Sequence, residues 1–479
     1  MGDKRIHFEQ YVYLPALTHD SAIVAWGGFY FKVKTDDGKE KWKLLEDEDI
    51  PDRDPARPGS IGMNSKLCGP AAEVQVVNTQ TGETRTVSVE GANHAEIRGL
   101  QADTEYLYRV TVFDQSGAAV EWGSGQRLDW NSATGRMEPA HQPYDNRFKT
   151  FPAPGADVSQ LNFVVIGDFG RGVRKPGKED DPRCQADIAL ALEKAVDNNN
   201  ARFMLTTGDN IYAHRKFLII VSDSGDEDKD WFYTYYQPYR YIINRIPTFP
   251  AFGNHDEGET EEMDDRDQLY DNLYVRPHFE GLRDPQDAVT DRGLLYRFQF
   301  GKQIEFICLD TSKDHLLGRR FFEMDENLPF IERALPPGPI DGWRIAFSHH
   351  PVFCAGPVHG SRPSLQKLMT ERGHQAGVRV FFNGHEHNLQ HSQDDFTDYF
   401  ITGGSGKFET DPPKSGRFHD AKTKAWGGNK QGHFLLCKID NRQMSISAVG
   451  KLANNGLESI QINDVGGGTR KADFIISLK

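Results

Sequence analysis

Five short polar clusters stand out as groups that could do chemistry together. They are Gly167-Asp168-Phe-Gly170, Gly208-Asp209-Asn-Ile-Tyr212, Gly253-Asn254-His255-Asp256, Ser348-His349-His350-Pro351 and Gly384-His385-Glu-His387. Each alone says little, because a Gly-Asp pair usually only turns the chain and a lone histidine is more often satisfied within the fold than bound to metal. Together they offer carboxylates, an amide, a phenol and imidazoles, a set of hard and borderline ligands with no cysteine among them. Two divalent or trivalent cations need about four to six donors each, with a carboxylate shared between them. Such a pair makes hydroxide near neutral pH and clamps the oxygens of an anion. It would also be the local positive charge through which an acidic chain accepts an anionic substrate.

Each cluster closes a short apolar run, and those runs are the elements that must position it. Leu161–Ile166, Phe203–Thr206, Thr248–Phe252, Arg344–Phe347 and Val378–Phe382 lead into the clusters, and Ile304–Leu309 repeats the theme. Continuous apolar runs of this length read as strands buried on both faces. Gln185–Val196 places Ile188, Leu192, Ala195 and Val196 at helical spacing before an Asn198-Asn-Asn200 stop. Strands alternating with helical stretches argue for a layered α/β domain with polar residues at its strand ends. Ahead of it, residues 1 to about 150 read as all-β, with strands over Ser21–Val33, Ala72–Val77, Thr84–Val89 and Tyr106–Phe113. Two loops, about Thr35–Met63 and Glu121–Asn146, are long for such a unit, and Phe151-Pro-Ala-Pro-Gly155 reads as a linker. Ser222–Asp230 and Asp256–Asp267 read as solvated acidic loops, and further strands with a Gly466-Gly-Gly468 turn follow Gly432.

Composition narrows the function classes. With 479 residues, 37% apolar and 26% charged, the chain is neither disordered nor a small disulfide scaffold. Its 56 basic and 70 acidic residues give a net charge of −14, which argues against general affinity for nucleic acid or an anionic membrane. No apolar run approaches the roughly 20 residues that cross a bilayer, so a soluble protein is expected. Cys68, Cys184, Cys308, Cys354 and Cys437 are scattered without a CxxC pair and read best as free thiols. The opening Met-Gly-Asp-Lys-Arg-Ile-His lacks the apolar segment of a signal peptide, which places the chain in the cytoplasm. A secreted or periplasmic chain with its signal replaced by Met-Gly would read the same.

The five clusters, in this order, resemble the calcineurin-like metallophosphoesterases. The tyrosine three residues after Asp209 narrows the resemblance to the purple acid phosphatases. Gly208-Asp-Asn-Ile-Tyr212, Phe252-Gly-Asn-His-Asp256, His349-His-Pro-Val-Phe353, Asn383-Gly-His-Glu-His-Asn-Leu-Gln390 and Phe400-Ile-Thr-Gly-Gly-Ser-Gly406 are similar to the small, tartrate-resistant type. The N-terminal stretch Gly99-Leu-Gln-Ala-Asp-Thr-Glu-Tyr106-Leu-Tyr-Arg-Val110 resembles the fibronectin type III signature, a feature of the larger plant-type enzymes. Tyr106 is read as a packing tyrosine, which in that module also makes a corner hydrogen bond. The fold class expected is an all-β sandwich over residues 1–150, followed over 158–479 by an α/β catalytic domain, a layered β-sandwich flanked by helices.

Carried over residue by residue, the resemblance implies that Asp168, Tyr212 and His387 hold a ferric ion. Asn254, His349 and His385 hold Fe2+, Zn2+ or Mn2+, and Asp209 bridges the two. A phenolate suits a hard, highly charged ion, because a pKa near 10 must be pulled well below 7 for it to ligate; the alternative is a buried core tyrosine beside a manganese or zinc pair. His255 and His359 match outer-sphere histidines that bond a phosphate oxygen and protonate the leaving alkoxide. Asn254 would also touch substrate. His350 takes the place where the small type usually has tyrosine, and either contacts substrate or packs. Arg171 and His214 follow metal ligands closely, with Arg171 read as a solvated loop residue.

The activity implied is hydrolysis of phosphate monoesters by a metal-bound hydroxide, with a phosphorylated substrate as partner, no nucleic acid or membrane, and the oligomeric state and natural substrate open. One alternative is a phosphodiesterase or pyrophosphohydrolase of the same superfamily. An alternative of another class is an inactive adhesion protein, against which the full ligand set argues.

Overall fold

The computed structural model describes residues 6–36, 39–44, 71–113, 116–122, 125–131, 136–170, 185–212, 215–217, 220–222, 231–256, 269, 272–273, 294–313, 318–338, 340–409, 411–429, 431–450 and 456–478. The first part is strand-rich. It contains β1 (Ile6–Leu17), β2 (Ser21–Asp36), β3 (Lys39–Leu44), β4 (Ala71–Asn78), β5 (Thr84–Glu90), β6 (His94–Arg98), β7 (Glu105–Phe113), β8 (Ala119–Trp122), β9 (Gly125–Asn131), β10 (Arg136–Tyr144) and β11 (Arg147–Lys149). β2 pairs with β1, β3 and β6, while a second sheet runs β11-β7-β4-β5 with β8 beside β7. β7 alternates strictly, burying Tyr106, Tyr108, Val110 and Val112 between exposed or half-buried neighbours, as a half-buried antiparallel strand must. Tyr106 does more than pack: its hydroxyl accepts the Gln101 N–H at 2.8 Å, a corner hydrogen bond. This strand-rich part docks on the second part of the chain, with Tyr108 Oη donating to the Asn244 carbonyl at 2.6 Å and Phe29 packing on Phe232 at 4.9 Å between ring centres.

The second part runs β12 (Gln160–Ile166), α1 (Gln185–Asn199), β13 (Met204–Thr206), β14 (Arg215–Phe217), β15 (Ile220–Ser222), α2 (Arg240–Ile243), β16 (Thr248–Pro250), β17 (Tyr296–Phe300) and β18 (Ile304–Cys308). It continues through α3 (Leu328–Ala334), β19 (Trp343–Phe347), α4 (Pro363–Leu368), β20 (Val378–Asn383), β21 (Leu389–Gln393), β22 (Asp398–Thr402) and β23 (Thr423–Gly427). β24 (Phe434–Asp440), β25 (Gln443–Val449), β26 (Gln461–Asp464), β27 (Thr469–Lys471) and β28 (Asp473–Ser477) complete it. Two mixed sheets result, one ordered β16-β13-β12-β24-β25-β28 and the other β17-β18-β19-β20-β22-β21-β23-β26-β27. They face each other through an aromatic core: the Phe163 ring meets Phe306 at 5.3 Å and Phe382 at 6.2 Å, and Phe203 meets Phe306 at 5.1 Å. The balance is more β than alternating strands and helices suggest. Among the described residues, α1 is the only α-helix longer than seven residues, and none is long and apolar enough to cross a membrane.

The parallel runs β12-β13-β16 and β18-β19-β20-β22 explain the unbroken apolar stretches, since every residue of β13, β16, β18, β19, β20 and β22 is buried. All five polar clusters leave the carboxyl ends of five of these strands. Three follow the neighbours β12, β13 and β16 in one sheet, and two follow the neighbours β19 and β20 in the other. That rim is where parallel sheets place ligands.

Candidate metal centre

The turn after β12 puts Asp168 in the left-handed region at φ +53°, the turn after β13 does the same to Asp209 at +50°, and His385 after β20 sits at +71°. Non-glycine residues seldom take this conformation, and packing must hold them there. The flanking glycines permit that packing. A Cβ on Gly253 would overlap Asp209 Oδ1, one on Gly384 would come within 2.5 Å of Asp168 Oδ2, and one on Gly208 within 2.8 Å of His349 Nδ1.

Two groups of donor atoms form. In the first, Tyr212 Oη lies 2.9 Å from Asp168 Oδ1, 2.6 Å from Asp209 Oδ2 and 3.3 Å from His387 Nε2. Asp168 Oδ1 is also 3.4 Å from His387 Nε2, and ligand atoms of Asp168, Asp209 and His387 all fall within 4.8 Å of one another. In the second, His349 Nε2 lies 3.0 Å from His385 Nδ1, 3.0 Å from Asn254 Oδ1 and 3.3 Å from Asp209 Oδ1. His349 Nδ1 donates to the Thr207 carbonyl at 2.8 Å, which fixes the tautomer and leaves Nε2 as the free lone pair.

The electrostatics suit cations. Burial raises the Asp168 pKa, but its bond to His387 and the charges of His349 and His387 outweigh that and hold it at about 2. Burial first, then the charges of Asp168 and Asp209, push Tyr212 well above the usual phenol range. Burial, followed by His350, His349, His359 and Arg362, keeps His385 well below the usual imidazole range, so its ring is neutral and could donate a lone pair to a cation. A hard cation in place of the Tyr212 proton would relieve the crowding of three oxygens, so the residues present fit a bound metal pair.

The remaining candidates lie around these groups. His255 is half-buried, its N–H donates to Asp209 Oδ1 at 2.9 Å, and its ring lies 4.7 Å from that of Tyr212. The His359 ring lies tilted over that of His385, 3.8 Å between centres, and its Nδ1 is 3.1 Å from Glu386 Oε2. His350 is buried, with Nδ1 3.0 Å from Thr311 Oγ1 and Arg320 beside it, which favours packing over substrate contact. Arg171, His214, Cys68 and Cys184 lie outside the described residues, as do most of Ser222–Asp230 and Asp256–Asp267. Cys308, Cys354 and Cys437 are free and buried.

Several supporting residues carry no motif of their own in the sequence. Glu386, between His385 and His387, accepts the N–H groups of Val358 at 3.3 Å and His359 at 2.8 Å. Asp256 accepts the Asn210 N–H at 2.8 Å, the Asn210 side-chain amide at 2.9 Å and the Gly253 N–H at 2.8 Å, binding the second and third clusters together. Both sit inside the clusters, so adjacency to a candidate ligand is the available signal. Arg362, whose Nη2 is 3.5 Å from His385 Nε2, carried none.

Residues 161–389 match the calcineurin-like phosphoesterase family. Tartrate-resistant acid phosphatase type 5 of Oryctolagus cuniculus is 25% identical over 316 residues, covering 60% of this chain and 86% of the relative. Purple acid phosphatase 4 of Arabidopsis thaliana is 25% identical over 265 residues, covering 53% of this chain and 70% of the relative. Among solved structures, purple acid phosphatase PPD1 from yellow lupin (Lupinus luteus) seeds shares the fold with a TM-score of 0.55 and 13% identity, covering 99% of this chain and 74% of that one. PhoD does so with a TM-score of 0.57 and 13% identity over 96% of this chain and 91% of that one. Residues 161–389 thus resemble a calcineurin-like phosphoesterase domain, and the relatives that align with the chain are purple acid and tartrate-resistant acid phosphatases.

Proposed function

We propose that this chain hydrolyses phosphate monoesters at a dinuclear centre. Asp168, Tyr212 and His387 hold one ion, Asn254, His349 and His385 the other, and Asp209 serves both. The observation that carries the reading is the split of the Asp209 carboxylate, with Oδ2 2.6 Å from Tyr212 Oη and Oδ1 3.3 Å from His349 Nε2. A phenol among carboxylates favours Fe3+ at the first position, and the two imidazoles with an amide suit Fe2+, Zn2+ or Mn2+ at the second. When bound, such a pair supplies positive charge for the phosphoryl oxygens and acidifies water to a nucleophile.

The chain's own side chains complete the site. Asn254 is exposed beside His349 and reaches the substrate side. Glu386 holds a proton on His359 Nδ1, so Nε2 is the atom left to meet the ester oxygen and protonate the departing alkoxide. His255, held by its N–H on Asp209, takes a phosphate oxygen or shares that proton transfer. Residues 158–479 are the catalytic unit in this reading, and the fibronectin-like residues 1–150 brace it.

The test is metal analysis with a visible spectrum, followed by turnover of 4-nitrophenyl phosphate and its bis ester. About two ions per chain including iron, a broad visible band and faster monoester cleavage are expected. A folded chain without metal would overturn the reading, and faster diester cleavage would make it a phosphodiesterase.

A further inference from the structure

Lys407 places its ammonium 4.1 Å from the centre of the Tyr212 ring. The loop that carries it is fixed on both sides to backbone of the candidate site. Ser405 N–H donates to the Gly167 carbonyl at 3.0 Å, and Ser405 Oγ accepts the Gly167 N–H at 3.1 Å. Lys407 N–H donates to the Asp168 carbonyl at 3.1 Å, and Glu409 N–H to the His387 carbonyl at 2.7 Å. Gly403, Gly404 and Gly406 lie so close to Glu386, His433 and Phe169 that a side chain on any of them would collide. Lys407 is half-buried. This is a lysine held over one aromatic face by the same loop that buttresses Asp168 and His387.

We propose that Lys407 tunes Tyr212 as a ligand, its ammonium stabilising negative charge on the phenolate ring and so weakening that phenolate as a donor to ferric iron. The proposal rests on the reading that Tyr212 ligates. A cation over a ring face is attracted to its electron density, more strongly as that density grows. Residues outside the coordination shell set the electronic properties of a metal site through such contacts. Charge transfer from phenolate to iron removes electron density from under the ammonium, so Lys407 raises its energy and moves the absorption band to shorter wavelength.

The experiment loads metal-depleted wild type, K407M and K407R with ferric iron to equal content and compares the visible absorption maxima. K407M should move the band to longer wavelength by about 10–20 nm, as expected for loss of one cation–ring contact. K407R, which keeps the charge, should stay near wild type. An unmoved band in K407M overturns the proposal, as does K407R shifting as far as K407M, since shape rather than charge would then be responsible. A wild-type protein that binds ferric iron without any visible band overturns the Tyr212 assignment itself, and the proposal with it.

Discussion

Glu386 grips His359 twice through one oxygen: Oε2 accepts the His359 backbone N–H at 2.8 Å and lies 3.1 Å from its Nδ1. Glu386 is itself buried between His385 and His387, so a loop residue on the outer side of the site is fixed from within the ligand motif. Glu386→Gln keeps the volume and an acceptor oxygen but removes the negative charge that strengthens the bond to Nδ1. It should lower kcat about 10–100-fold on alkyl phosphates, the range typical of partners that orient site histidines. The loss on 4-nitrophenyl phosphate, whose leaving group needs no proton, should be smaller, with metal content unchanged. Equal losses on both substrates would mean that Glu386 serves only to shape the loop.

Asp209→Ala removes the one carboxylate that, among the described residues, faces both donor groups. Both metals and all turnover should be lost together, which metal analysis of the purified variant reads directly. Retention of full metal content would falsify the bridging assignment.

Gly253→Ala adds a single methyl where Asp209 Oδ1 and the Asp209 backbone nitrogen already lie. Overpacking of this kind costs about 1–3 kcal/mol. A lower melting temperature and a loss of metal are expected, although no donor atom has been removed. Gly155→Ala, which meets nothing, is the control and should be silent in both measurements.

His433 is fully buried against Gly404 and Gly428, and burial depresses its pKa to about 4. A base depressed in the fold takes its proton more readily when unfolded. Its contribution is therefore intact above the unfolded value near 6.5 and is lost as pH falls from there toward 4. Between pH 7 and pH 5 this amounts to about 2 kcal/mol. Urea midpoints should show that decline in wild type and a flatter one in His433→Asn; parallel curves would remove His433 as the cause.

Much of this architecture was legible in the residues. A parallel strand buried on both faces reads as an unbroken apolar run, and a ligand at its end follows glycine because the turn needs a left-handed or tightly packed residue. Leu161–Ile166 with Asp168 and Val378–Phe382 with His385 show both signals. α1 was legible from Ile188, Leu192 and Ala195 at helical spacing, and its end at Asn199 follows from the αL residue Asn200. Sheet order was not legible, because β12 pairs with β24 across more than half of the second part, and no local pattern encodes a partner so distant. Nor was the role of Glu386 or Lys407, since each acts through what the fold brings to it rather than through its neighbours in sequence. The corner hydrogen bond of Tyr106 is implied by the fibronectin resemblance alone, because a partner five residues upstream depends on how the corner closes.

The rim where the five clusters meet is divided by chemistry. Asp168, Asp209, Tyr212 and Asn254 leave strands of one sheet, whereas His349, His385 and His387 leave strands of the other. Oxygen donors thus line one lip of the seam and imidazoles the other. An ion that draws ligands from both lips acts as a clasp, and stripping it should let that end of the sandwich breathe while the phenylalanine-filled end stays shut. Hydrogen exchange along β13 and β20, with and without a chelator, would display the clasp as protection lost at one end only.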